Sequence, residues 1–132
     1  MADERKLTRA EKDELAEARE AFSLPDLDAL TEVLEAITMG GGDDDLVFHV
    51  GVWLGDRVAD LTGWVWVHLS YGPGLDAPAL VSPDRALALL PLQLVGSVAD
   101  GAPGGDLVTL LRRLESGARP SAPPQSYALV AP

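Results

Sequence analysis

From Asp43 to Gly63 the chain reads as one long helix that is apolar around most of its circumference, and this element constrains the fold more than any other. With residues placed at steps of roughly 100°, Val47, Phe48, Val50, Gly51, Val52, Leu54, Gly55, Val58, Ala59 and Leu61 fill a broad arc. Only a narrow stripe is polar: Asp45, His49, Asp56 and Asp60, with Trp53 and Arg57 beside it. Such a helix must be packed on more than one side. Gly51 and Gly55 stand one turn apart, so another element is expected to approach the backbone closely there. Asp43 or Asp44 is the expected cap, and Gly63 the stop.

The elements around it follow from period and punctuation. Trp64 to Tyr71 alternates strictly and is rich in aromatic and β-branched residues, which predicts a strand. Val65, Val67, Leu69 and Tyr71 suit a core face, leaving Trp64, Trp66, His68 and Ser70 on the other. Gly72-Pro73-Gly74 breaks that strand. Pro78 to Ser82 reads as a second strand, Ser82 to Arg85 as a turn and Ala86 to Leu90 as a third. Residues 3–22 predict an exposed helix with a thin apolar stripe of Leu7, Leu15, Ala18 and Phe22. Ser23 is the expected cap of a second helix carrying Leu27, Leu30, Val33, Leu34 and Ile37, with Gly40 as its stop. Pro91 opens a further helix that Gly101 closes, and Asp106 is the expected cap of a last one bearing Leu107, Leu110, Leu111 and Leu114. The Pro-rich stretch that follows reads as a tail, although Tyr127 to Val130 could add a strand to an open sheet edge.

The expected fold is therefore α+β: two N-terminal helices, a central mostly buried helix, a three-stranded mainly antiparallel sheet and two C-terminal helices. The expected organisation is an exposed helix over 1–22, a single domain over 23–117 and a tail over 118–132. At 132 residues, folding buries roughly two thirds of the unfolded chain's surface, enough for a core without staples. There is no cysteine, which excludes disulfides, thiolate metal sites and thiol nucleophiles. The charged first twenty residues are unlike a secretory signal. The longest apolar stretch, Ala86 to Ala99, is interrupted by Pro91 and Gln93 and falls short of the roughly twenty residues a membrane span needs. A soluble, cytoplasmic protein is expected, and Arg-over-Lys usage points to a GC-rich bacterial genome.

Charge narrows the function classes. The net charge is −11, and residues 23–63 hold nine acids against Arg57 alone, leaving −8. A field of that sign repels nucleic acid and anionic membranes and favours basic partners or cations. Asp45/His49 and Asp56/Asp60 are each one turn apart, but the pairs lie about 10 Å apart along the axis and cannot share one metal ion. Gly40-Gly41-Gly42-Asp43-Asp44-Asp45 lacks both the Lys-Ser/Thr of a phosphate loop and the ligand spacing of a calcium loop, and reads as a linker with a helix cap. No serine occupies a strand–turn–helix nucleophile context. Neither a cofactor nor a metal is expected.

The stretch 46–116, with GVWLGDRVADLTG, WVWVHLSYG, PALVSP and LALLPLQLVGSVADG, resembles an uncharacterised bacterial family of small domains of unknown function. The matching positions are Gly51, Gly55, Trp64, Tyr71, Gly72, Pro78, Ala79, Leu80 and Pro91. The family's pattern turns basic after its Leu-Pro step, whereas Gly96 to Asp100 here does not. The resemblance implies a fold and carries no activity. Three functional readings remain. The first is a non-enzymatic, adaptor- or chaperone-like interaction domain, contacting a protein through Trp64, Trp66, His68 and Trp53 and the acidic surface of Asp43, Asp44, Asp45, Asp56 and Asp60. The second is an immunity-type protein neutralising a basic toxin. The third is a metal- or ligand-dependent enzyme built on the Asp45/His49 stripe. Homo-oligomerisation stays open.

Overall fold

The computed structural model describes residues 2–72 and 76–132. The Gly72-Pro73-Gly74 break lies, from Pro73 onward, outside them. Among the described residues the order is β1 (Asp3–Arg5), α1 (Arg9–Ala21), α2 (Leu27–Ala36), a wide turn (Ile37–Gly41), α3 (Asp44–Thr62), β2 (Val65–Ser70), β3 (Asp76–Val81), β4 (Leu87–Leu89), α4 (Pro91–Ala99), α5 (Gly105–Glu115) and β5 (Ala128–Leu129). The class is α+β. Among the described residues no helix is long and apolar enough to cross a membrane.

Among the described residues the sheet has five strands, not three, in the order β1-β2-β3-β4-β5. The three expected strands form its antiparallel centre, with Trp66 opposite Leu80 and Val81 opposite Ala88. Two short edge strands were missed or only raised as an option. β1 pairs antiparallel with β2, and β5 pairs parallel with β4, which makes the sheet mixed. β1 reads as Asp-Glu-Arg and has no apolar alternation, so it becomes a strand only because the edge of β2 offers hydrogen-bond partners.

Helix boundaries follow the caps. The expected helix over 3–22 is divided: Thr8 opens α1 through a reciprocal capping box, its hydroxyl accepting from Glu11 N at 3.2 Å and its N–H donating to Glu11 Oε1 at 2.8 Å. Ser23 is not the cap of α2. Asp26 accepts from Ala29 N at 2.9 Å, and Ser23 to Pro25 form the preceding loop. Asp43 caps α3 by accepting from Leu46 N at 2.8 Å, and Gly63 ends it with a left-handed φ of 77°. Asp106 is not a cap either: Gly104 holds that position and Asp106 lies in the first turn of α5.

α3 is the hub. One side of it meets α4, where a side chain on Gly51 would collide with Leu92, and another meets the sheet, where Gly55 faces the Trp66 ring. The main core gathers Leu30, Leu34, Ile37, Val50, Leu54, Val58, Leu80, Leu89, Val95 and Leu111 between the helices and the sheet. α1 adds a smaller cluster in which Leu15 and Ala18 close on Val52.

The helices cover the tryptophan face of β2, not its valine face. Trp64 is 6% exposed and belongs to the core, and Trp66 is half-buried against α3. Of Val65, Val67, Leu69 and Tyr71, expected on a core face, Val67 and Leu69 are buried, but the face they share lies away from the helices. There Val67, Leu69, Ala79, Val81, Ala88 and Leu90 form a separate cluster beneath Tyr71 and Tyr127, while Val65 stays 48% exposed. The physical reason is volume. Two indoles fill the gap between a helix with glycines on its face and a sheet better than valines would.

Candidate functional site

Trp53, Asp56, Arg57 and Asp60 follow one another at helical i, i+3, i+4, i+7 spacing and share one face of α3. The chain before α2 crosses in front of that face. Together Leu24, Pro25, Asp26 and Leu27 on one side and the four α3 residues on the other enclose a cleft of about 140 Å³. Trp53 and the two leucines supply apolar wall, Pro25 a rigid rim, and the carboxylates the charge.

The carboxylates differ in what they already hold. Asp56 is saturated: Arg19 of α1 donates from Nε to Oδ2 at 2.7 Å and from Nη2 to Oδ1 at 2.9 Å, and Trp66 Nε1 donates to Oδ1 at 3.0 Å. The hydrogen bond to Asp56 raises the Arg19 pKa above its ordinary value, outweighing the opposing effect of burial. Asp26 uses one oxygen as the α2 cap. Asp60 is exposed and has no ion pair among the described residues. Arg57 reaches Glu115 at 3.6 Å, and its Nε is occluded without a hydrogen-bond partner. The lining offers carboxylates, an indole and a guanidinium, and its carboxylates can accept hydrogen bonds from a donor or hold a cation.

Elsewhere the sequence candidates are dispersed. Asp43 is spent as a cap, Asp44 and Asp45 project from the first turn of α3, and His49 stacks on Phe22 with ring centres 6.2 Å apart. Among the described residues no group of three or more His, Asp or Glu side chains gathers closely enough to hold a metal ion. His68 is half-buried, its Nδ1 2.7 Å from Glu11 Oε2 and its Nε2 against the Asp76 carboxylate. Glu11 collects further donors from Arg5 and Thr8. Burial pushes the Glu11 pKa up, but these hydrogen bonds outweigh it and hold the carboxyl down at about 2. The cluster knits β1, α1 and the sheet together.

The chain has no match among protein-family models, curated proteins or solved structures. The geometry therefore stands alone. Of the expected contact residues, the structure brings Trp53, Asp56 and Asp60 into one cleft and places Trp64, Trp66 and His68 beneath the helices. Sequence reading missed Leu24 to Leu27 as the facing wall. Pro25-Asp26 was the available signal, since a proline just outside a capping aspartate presents a rigid corner before a helix.

Proposed function

We propose that this chain is a non-enzymatic interaction domain that receives a basic segment of a protein partner on its acidic 23–63 surface, with Trp53 and Asp60 at the centre of the contact. The observation that carries this reading is the state of the acids. Asp28, Glu32, Glu35, Asp44, Asp45 and Asp60 have no cationic partner among the described residues, and Asp60 lines a cleft walled by an indole. An unneutralised field of this kind steers a basic partner, and the Trp53 cleft offers a lysine or arginine side chain apolar wall and negative charge together. An adaptor- or chaperone-like role suits a contact of this type. Neutralisation of a basic toxin is the same contact made tight.

The test uses an arginine-rich peptide and a glutamate-rich peptide of equal length, titrated by calorimetry at low and at physiological salt. The arginine-rich peptide is expected to bind, about tenfold more weakly at physiological salt. Trp53→Ala should weaken it by about tenfold again, as loss of a central aromatic contact does. Equal binding of both peptides, or binding indifferent to salt and to Trp53→Ala in a folded variant, overturns the reading.

A further inference from the structure

The segment that follows α5 closes the sheet under backbone strain. Its beginning is tied down by Arg119, which donates from Nη1 to the Leu114 and Ala118 carbonyls at 2.8 Å and from Nη2 to the Leu61 carbonyl at 3.2 Å. Pro120, Pro123 and Pro124 then stiffen the run toward the sheet. At its far end Gln125, Tyr127, Ala128 and Val130 donate backbone hydrogen bonds to the carbonyls of Asp84, Arg85, Ala86 and Ala88. To reach that register Gln125 and Tyr127 take φ values of 63° and 47°. These lie in the left-handed region that side chains with a Cβ disfavour, and neither residue is the glycine or asparagine that tolerates it.

Beyond Gln125 the segment is held by packing as well as by hydrogen bonds. Val130 is buried in the main core. Tyr127 covers the helix-free face of the sheet, where its hydroxyl donates to Glu4 Oε1 at 2.8 Å and its carbonyl accepts from Tyr71 Oη at 2.8 Å. A depression of about 330 Å³ opens between α5 and the two ends of the segment, beside Leu110, Leu114, Arg119 and Val130. The contacts of Tyr127, Ala128 and Val130 are the same whichever copy of the chain supplies the strand. The left-handed φ at Gln125 is not, since it belongs to the connection by which the proline-stiffened run turns back onto its own sheet, whereas that of Tyr127 travels with the strand.

The geometry points to exchange of residues 126–132 between two copies of this chain, β5 of each pairing with β4 of the other while residues 120–125 run extended between them. The occupant of the β4 edge is then a second copy's strand. Prolines in the connecting run favour its open form, and a strained short hinge is what makes exchange of an identical element cheap. The inference is independent of the function proposed above, since the β4 edge and the Trp53 cleft share no residue.

The absence of cysteine makes the test direct. Ala88 and Leu129 stand directly opposite each other across the β4–β5 pair. An Ala88→Cys chain and a Leu129→Cys chain, mixed at high concentration and oxidised in air, are expected to form a covalent heterodimer. Light scattering should show the wild-type chain passing from one copy to two as concentration rises. Gln125→Gly, which relaxes the closed turn, should weaken that association by about tenfold. Gln125→Pro, which forbids the closed turn, should leave only the dimer. The proposal is overturned by a wild-type chain that scatters as one copy at every concentration, by a dimer with no bond between the introduced thiols, or by a folded Gln125→Pro chain that stays monomeric.

Discussion

Single side chains join elements here that would otherwise only lie near one another. Asp56 binds Arg19 of α1 and Trp66 of β2 at once, and Glu11 binds Arg5, Thr8 and His68. Arg85 occupies a left-handed position in the β3–β4 turn, φ 58°, where glycine would be unstrained. It is compensated by a bidentate contact with Glu4, Nε to Oε1 at 2.8 Å and Nη2 to Oε2 at 3.1 Å. Two predictions belong to this scale. Glu11 has a folded-state pKa depressed from the ordinary 4.5 to about 2, so its contribution is complete above pH 4.5 and is lost as pH falls toward 2. Glu11→Gln should therefore flatten the acid limb of the stability curve in that window, measured by urea unfolding at a series of pH values. An unchanged slope there would show that the cluster adds nothing. Gly55→Ala places a methyl group against the Trp66 ring and is expected to destabilise by about 2 kcal/mol through overpacking. A neutral result would mean that the indole shifts freely.

Elements in this chain owe their bounds to caps more than to propensity. α1 starts at a capping box, α2 and α3 at aspartates, and α3 stops at a glycine. The readings that failed were those where a cap signal had a rival nearby: Ser23 against Asp26, and Asp106 against the Gly104-Gly105 turn. Asp26 holds its place by accepting from Ala29 N, and Gly104 holds its own without a side-chain cap hydrogen bond. α1 illustrates how little apolar surface an element needs once tied. Leu15 and Ala18 are its buried residues, and they seat it on Val52 of α3. Leu15→Ala should cost about 3 kcal/mol in chemical denaturation, the usual loss for a buried leucine. A loss well under 1 kcal/mol would mean that α1 is held by Arg19 and Glu11 and not by packing.

At the scale of the whole molecule, repulsion among like charges opposes the ion pairs. The chain carries −11, and its unpaired acids concentrate in one region, while the described residues form few ion pairs. Raising ionic strength shortens the screening length from about 30 Å at 0.01 M to about 8 Å at 0.15 M, which quiets long-range repulsion more than contacts at hydrogen-bond distance. The melting temperature is therefore expected to rise by a few degrees over that range, on the order of 1 kcal/mol. A fall would show that the short ion pairs dominate.

Local pattern by itself determined the class, the central helix with its two close-approach glycines, the three antiparallel strands and the acidic region, because apolar period, turn residues and charge are properties of consecutive residues. Tertiary structure alone decided which face of β2 met the helices. Trp64, Trp66 and His68 against Val65, Val67 and Leu69 is a choice between two apolar faces, and only the volume left beside Gly55 settles it. The edge strands likewise formed where partners existed: β1 has no strand pattern, and β5 is two residues long. The cleft was half legible. Trp53, Asp56, Arg57 and Asp60 share a helical face by their spacing in the sequence, but the wall from Leu24 to Leu27 comes from a segment almost thirty residues earlier, and only packing of α2 beside α3 sets it opposite.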